Sequence, residues 1–131
     1  MGVTLLFDPR HRVLLARFEG TVTAETVQAM STAARRFAER EGQCSAIADF
    51  TNVDHFEVEP EFLRNFAQNP PVMAEHKRVL VAPADAIFGS MRMFEMHQSS
   101  NDPGLSVVRS LDRAYETLGL IEPEFGPVTG P

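Results

Sequence analysis

The stretch Val79-Leu80-Val81-Ala82 constrains the fold more than any other part of this 131-residue chain. It is uncharged and mostly branched, so as a strand it offers no polar face to water and must be covered on both sides. Pro83 ends it. A strand covered on both faces belongs to a sheet flanked by helices, and the neighbouring sequence supplies them. Downstream, residues 84–99 place Ile87, Met91 and Phe94 on one helical face. Asn101-Asp102-Pro103-Gly104 reads as a turn and Leu105 to Arg109 as a strand. Ser110 caps a last helix carrying Leu111, Ala114, Tyr115 and Leu118, and Gly119 stops it.

The same alternation extends upstream. Val3, Leu5 and Phe7 alternate, Asp8-Pro9-Arg10-His11 supplies a turn, and Arg12 to Glu19 returns as a strand ended by Gly20. Thr23 caps a helix over 24–41 whose apolar stripe is Val27, Met30, Ala34, Phe37 and Ala38, closed by Gly42. Cys44 to Phe50 is a short buried strand, followed by a polar exit loop from Thr51 to Phe56. Glu59-Pro60-Glu61 opens a helix with Phe62, Leu63, Phe66 and Ala67 on its apolar side, broken by Asn69-Pro70-Pro71. The expected order is ββαβαβαβα. It implies an α/β fold with a mixed, mostly parallel five-stranded sheet, four helices, and the opening hairpin adding an antiparallel strand at an edge. Residues 1–119 form the domain. Residues 120–131, with three prolines and two glycines, read as a separate tail, held either by its own core or by a neighbouring molecule, and the reading favoured points it outward towards a partner.

Several chemistries are disfavoured. A net charge of −6 argues against a broad nucleic-acid surface. Cys44 is the only cysteine, so intrachain disulfides and multi-cysteine metal sites are excluded, and as a single residue it reads as a small buried hydrophobe rather than a nucleophile. His11, His55, His76 and His97 lie in separate segments without metal-ligand spacing, and no GxGxxG or Walker A motif is present. Ser90 follows Gly89 inside a helical pattern rather than on a nucleophile elbow, and Gly89 reads as a close-packing position. No cofactor or metal is expected. The N-terminus lacks the basic region of a signal peptide, and no apolar run approaches the ~20 residues of a membrane span, so the expected location is cytoplasmic.

Three segments carry a resemblance. Phe18-Glu19-Gly20-Thr21-Val22-Thr23, Ala48-Asp49-Phe50-Thr51-Asn52-Val53, and Val79-Leu80-Val81-Ala82-Pro83 leading into Phe88-Gly89-Ser90-Met91-Arg92-Met93-Phe94-Glu95 resemble, in order and spacing, the small bacterial STAS-like proteins described as SpoIIAA-like or STAS/SEC14-domain proteins. The resemblance implies a non-enzymatic regulatory module. In the antagonists of anti-sigma factors within that superfamily, a serine after the strand exit is phosphorylated. Here that position holds Val58, so the resemblance implies a domain without the phosphoswitch.

Three functional readings follow. The first is a protein-interaction module, a homodimer, whose surface combines Asp49, Thr51, Asn52, Asp54 and His55 at the strand exit with Phe88, Gly89, Met91, Arg92, Met93 and Met96 on the Met-rich helix. The second, implied by the SEC14 comparison, binds a small apolar or lipid-like ligand among Phe56, Phe62, Phe66, Phe88 and Phe94, with Arg92 meeting its head group. That reading requires an apolar cavity above ~300 Å³. The third is an enzyme using Asp54 with His55.

Overall fold

Alternation fixes the register of the opening hairpin. In a computed structural model, which describes residues 2–98 and 104–128, β1 (Val3–Asp8) runs antiparallel to β2 (Val13–Thr23), with Leu5 opposite Ala16 and Phe7 opposite Leu14. Helix α1 (Ala24–Glu41) starts at Thr23. The Thr23 hydroxyl accepts from the Thr26 amide, and the Thr26 hydroxyl accepts from the Thr23 amide at 3.1 Å, a reciprocal cap. Then follow β3 (Ser45–Glu57), α2 (Pro60–Phe66), β4 (Arg78–Val81), α3 (Asp85–Gln98), β5 (Leu105–Val108), α4 (Leu111–Leu118) and β6 (Gly126–Pro127).

Among the described residues the sheet has six strands rather than five, in the order β5-β4-β3-β2-β1-β6. The β2–β3, β3–β4 and β4–β5 pairs are parallel, whereas β1 pairs antiparallel with both β2 and β6. The parallel part has the three pairs expected, but a second antiparallel pair lowers its share of the sheet, and β1 is not an edge strand. Its outer side is taken by β6, which comes from the Pro/Gly-rich segment set apart by composition. That segment turns back onto its own domain instead of outward. Leu120 and Phe125 pack on the apolar face shared by Val13, Leu15, Ile47, Val79 and Val81, and Tyr115 lies beside Phe125 at 6.2 Å between ring centroids. Helix α4 covers the rest of that face, while α1, α2 and α3 cover the other.

Asp8 ties the two ends of the chain together. It is 1% exposed, and its carboxylate accepts from the His11 amide (3.0 Å), His11 Nδ1 (2.9 Å) and the Glu124 amide (2.9 Å). The turn residue of the hairpin is thus also the anchor of the C-terminal segment.

The largest departure concerns β3. It continues through 51–57, the segment expected to be a loop. Against β2 it carries two extra residues: Arg17 pairs with Asp49 and Glu19 with Asn52, then Gly20 with Val53 and Thr21 with His55. Each extra residue is a bulge that turns the following side chains over. Phe50, Val53 and Phe56 consequently all face the core although they are three residues apart. Gly20, expected to end β2, lies inside it at φ 69°, with open space where a Cβ would stand, so glycine is needed there for its backbone conformation.

Cys44 immediately precedes β3, 2% exposed, its amide donating to Met73 Sδ at 3.2 Å. Burial pushes its thiol above the usual cysteine value. Its reaction with a thiol reagent such as DTNB is expected to be at least ~100-fold slower in native buffer than in denaturant, because only the accessible thiolate reacts. Equal rates in both would show an open site.

Candidate functional site

Alanines form the centre of the floor of an apolar cavity. Pleating puts Ala16 of β2 and Ala46 and Ala48 of β3 on the face covered by α1, α2 and α3, with Ala16 directly opposite Ala48 and Leu14 opposite Ala46. On either side of them the same face carries Phe18 and Phe50, whose rings stack at 4.5 Å with an interplanar angle of 5°. Methyl groups at the centre of the floor cannot reach the helices above it. A cavity of about 180 Å³ remains, walled by Val27, Met30 and Ala34 of α1, Leu63 and Phe66 of α2, and Met91 and Phe94 of α3. Phe66 and Phe94 meet at 6.0 Å, joining α2 to α3, and Phe56 closes the wall from β3. Pro70 to Met73, in the connection between α2 and β4, complete it, with Pro70 held by the Arg35 guanidinium, which donates to its carbonyl at 3.3 Å.

Five polar side chains interrupt this lining, Ser31, Arg35, Asn69, Arg78 and Gln98, and of these Arg78 and Gln98 are buried. Arg78, at the start of β4, is 8% exposed; its Nε donates to the His76 carbonyl at 3.3 Å, and burial pulls its guanidinium below the usual arginine value. Gln98, the last residue of α3, is 6% exposed. Because α3 returns from the end of β4 towards the start of β5, both residues come from the end of the sheet where β4 and β5 begin. Beside Gln98 opens a second, polar recess of about 240 Å³ lined by Gln68, Asn69, Pro70, Pro71 and His97.

The expected strand-exit residues lie elsewhere. Asp49 is buried on the opposite face of the sheet, accepting from the Thr51 amide at 3.0 Å and from the Thr51 hydroxyl. Burial first, and then the charge of Asp49, raise the Tyr115 phenol above its usual value, which places Asp49 near α4. Thr51, Asn52, Asp54 and His55 are exposed along β3 rather than gathered in a loop. Asp54 is the unpaired residue of the second bulge and His55 its neighbour, paired with Thr21. They line neither the cavity nor the recess, and among the described residues no group of three or more His, Cys, Asp or Glu is close enough to hold a metal ion.

The Met-rich helix divides by residue. Met91 lines the cavity, Met93 is half-buried against the core, and Met96 is exposed. Phe88 does not line the cavity; the Arg109 guanidinium lies 3.8 Å from its ring centroid and also reaches Asp85 at 2.6 Å. Arg92 pairs with Glu95 of its own helix at 3.4 Å at the surface, not with the strand-exit carboxylates, and does not line the cavity. Gly89 is exposed with nothing near its missing Cβ, so the close packing expected of it is absent. Ser90 donates to the Ala86 carbonyl at 3.2 Å, as an ordinary helix serine does. Of the five phenylalanines expected in a pocket, Phe56, Phe66 and Phe94 line the cavity, while Phe62 stacks on Phe66 outside it. The signal overlooked in the sequence was Ala46-Ile47-Ala48, small residues alternating on one face of a strand otherwise packed with large ones.

No model of a known protein family matches the chain, and no curated protein matches it. No helix among the described residues is long and apolar enough to cross a membrane.

Proposed function

We propose that this domain is a non-enzymatic binding module that holds one compact apolar molecule between its sheet and helices α1, α2 and α3. The observation that carries this reading is the alanine-floored cavity of about 180 Å³. Drug-sized ligands occupy roughly 300 Å³ or more, whereas a cavity of about 150 Å³ lined by Leu, Ile and Phe admits a single benzene ring. The volume therefore suits one ring or a short chain and is too small for a lipid. The competing protein-interaction reading needs an apolar face on α3. Among the described residues the exposed large hydrophobics are Met96 and Ile121 alone, which is less than a docking patch requires. The proposed kinship with STAS-like proteins is supported by the ββαβαβαβα element order up to Leu118.

Calorimetric titration with benzene tests the reading. Saturable binding of one molecule per chain is expected, with Kd on the order of 1 mM or tighter. Absence of saturable binding up to the solubility of benzene would contradict it.

A further inference from the structure

The side chain of Gln98 gives the proposed ligand a polar end. Resting on the binding role proposed above, we infer that the occupant of the cavity carries a hydroxyl group on its apolar body and that this hydroxyl donates to Gln98 Oε1.

Gln98 is more than nine-tenths buried, and its Oε1 has no hydrogen-bond partner among the described residues. A buried amide oxygen without a donor is costly, and folded proteins rarely leave one so. The position of Gln98 makes a bound molecule the natural donor. It lines both the apolar cavity and the adjacent polar recess, with Asn69, Pro70 and Pro71 also shared between the two. It therefore stands where the apolar cavity meets the polar recess.

The chemistry of that partner narrows the ligand. An amide oxygen only accepts, so a carboxylate facing Oε1 would set acceptor against acceptor, and the two guanidiniums that line the cavity, Arg35 and Arg78, already donate to the Pro70 and His76 carbonyls. An ammonium would have to leave water for walls that are mostly aliphatic and aromatic, which disfavours the charged form. A neutral hydroxyl meets neither obstacle. It donates to Oε1, and its own oxygen can still accept a hydrogen bond at the mouth of the polar recess. Phenols and short-chain alcohols of six or seven carbons combine such a group with a body that the cavity can hold.

Benzene and phenol form a matched pair for the test, since they differ by this hydroxyl. In a purely apolar cavity phenol binds more weakly than benzene, because its hydroxyl loses water and gains nothing. Here phenol is expected to bind about 3- to 10-fold more tightly than benzene to the full chain by calorimetry. Gln98→Met should remove that advantage, so that phenol binds the variant no more tightly than benzene does, because methionine fills a similar space without the acceptor. Gln98→Glu, which keeps an acceptor at the same place, should preserve phenol's preference and serves if the methionine variant does not fold. Binding of both ligands with phenol the weaker, or equal loss of both in Gln98→Met, would overturn the hydroxyl inference and leave the cavity as an apolar site. Failure of both ligands to bind the parent chain would overturn the binding role itself, and this inference with it.

Discussion

Ala48→Phe is expected to weaken benzene binding by at least about 100-fold while changing stability by less than about 1.5 kcal/mol. Ala48 lies at the centre of the floor, opposite Ala16 on one side and Leu80 on the other. Its Cβ faces the cavity of about 180 Å³, and the substitution adds a ring there in place of a bound one. Overpacking in a filled core costs typically ~1–3 kcal/mol, but the added ring here enters space that no side chain occupies. Buried apolar area gained by the ring offsets the strain of placing it. Ala48→Val, which fills less of the cavity, should show an intermediate loss of affinity and keeps the comparison usable if the larger variant misfolds. Unchanged benzene affinity in a folded Ala48→Phe protein would move the binding site elsewhere. The thermal melt and the titration together distinguish the two effects.

Asp8→Ala is expected to have the largest effect on stability, about 3–4 kcal/mol, or roughly a 10 °C fall in melting temperature. Three donors converge on this one buried carboxylate, two from His11 and one from the Glu124 amide. Removing it leaves them without their acceptor and frees the segment that supplies β6. Proteolysis should then cut the C-terminal segment faster than in the parent. Asp8 also predicts an acid limb to the stability curve. Burial by itself pushes its carboxyl up, but the hydrogen bonds from His11 and Glu124 and the nearby His11 charge outweigh it, so the net shift is downward. A carboxyl whose folded value lies below its unfolded one contributes full stability above the ordinary aspartate range. That contribution is lost as pH falls through the lowered folded value. Melting temperature measured from about pH 2 to pH 7 should fall in this acid window for the parent, and Asp8→Asn should lack that component. Identical acid limbs in parent and Asp8→Asn would show that Asp8 is not the anchor.

Where local chemistry decided structure, the sequence was readable. Thr23 and Ser110 cap their helices as their side chains predict, α1 spans 24–41, and Val79 to Val81 lie in a parallel strand covered on both faces. The reading failed where pairing across the sheet overrode local pattern. Phe50, Val53 and Phe56 are three residues apart, which breaks the two-residue period of a strand and looks like a loop. Only the pairing with β2, with its two bulges, shows why that spacing still faces inward. Gly126-Pro127 has no strand propensity, and it becomes β6 because Asp8 and the exposed side of β1 hold it.

The site was less visible than the fold. Chemistry-bearing residues such as Asp54, His55 and Arg92 drew attention, yet they lie on the surface of β3 and α3. The cavity is made by what Ala16, Ala46 and Ala48 lack, and an absent side chain leaves no mark in a list of reactive groups. Gln98 was equally silent: at the end of a helix it resembles any solvated glutamine, and only the return of α3 beside the start of β4 and β5 buries it.

The most direct measurement is a set of intermolecular nuclear Overhauser effects between benzene and methyl-labelled protein. The cavity reading predicts contacts from the benzene protons to the methyl groups of Leu14, Val27, Leu63 and Met91, which come from the floor and all three helices above it. Contacts confined to the exposed side chains of Met96 or Ile121, or none at all at saturating benzene, would contradict it.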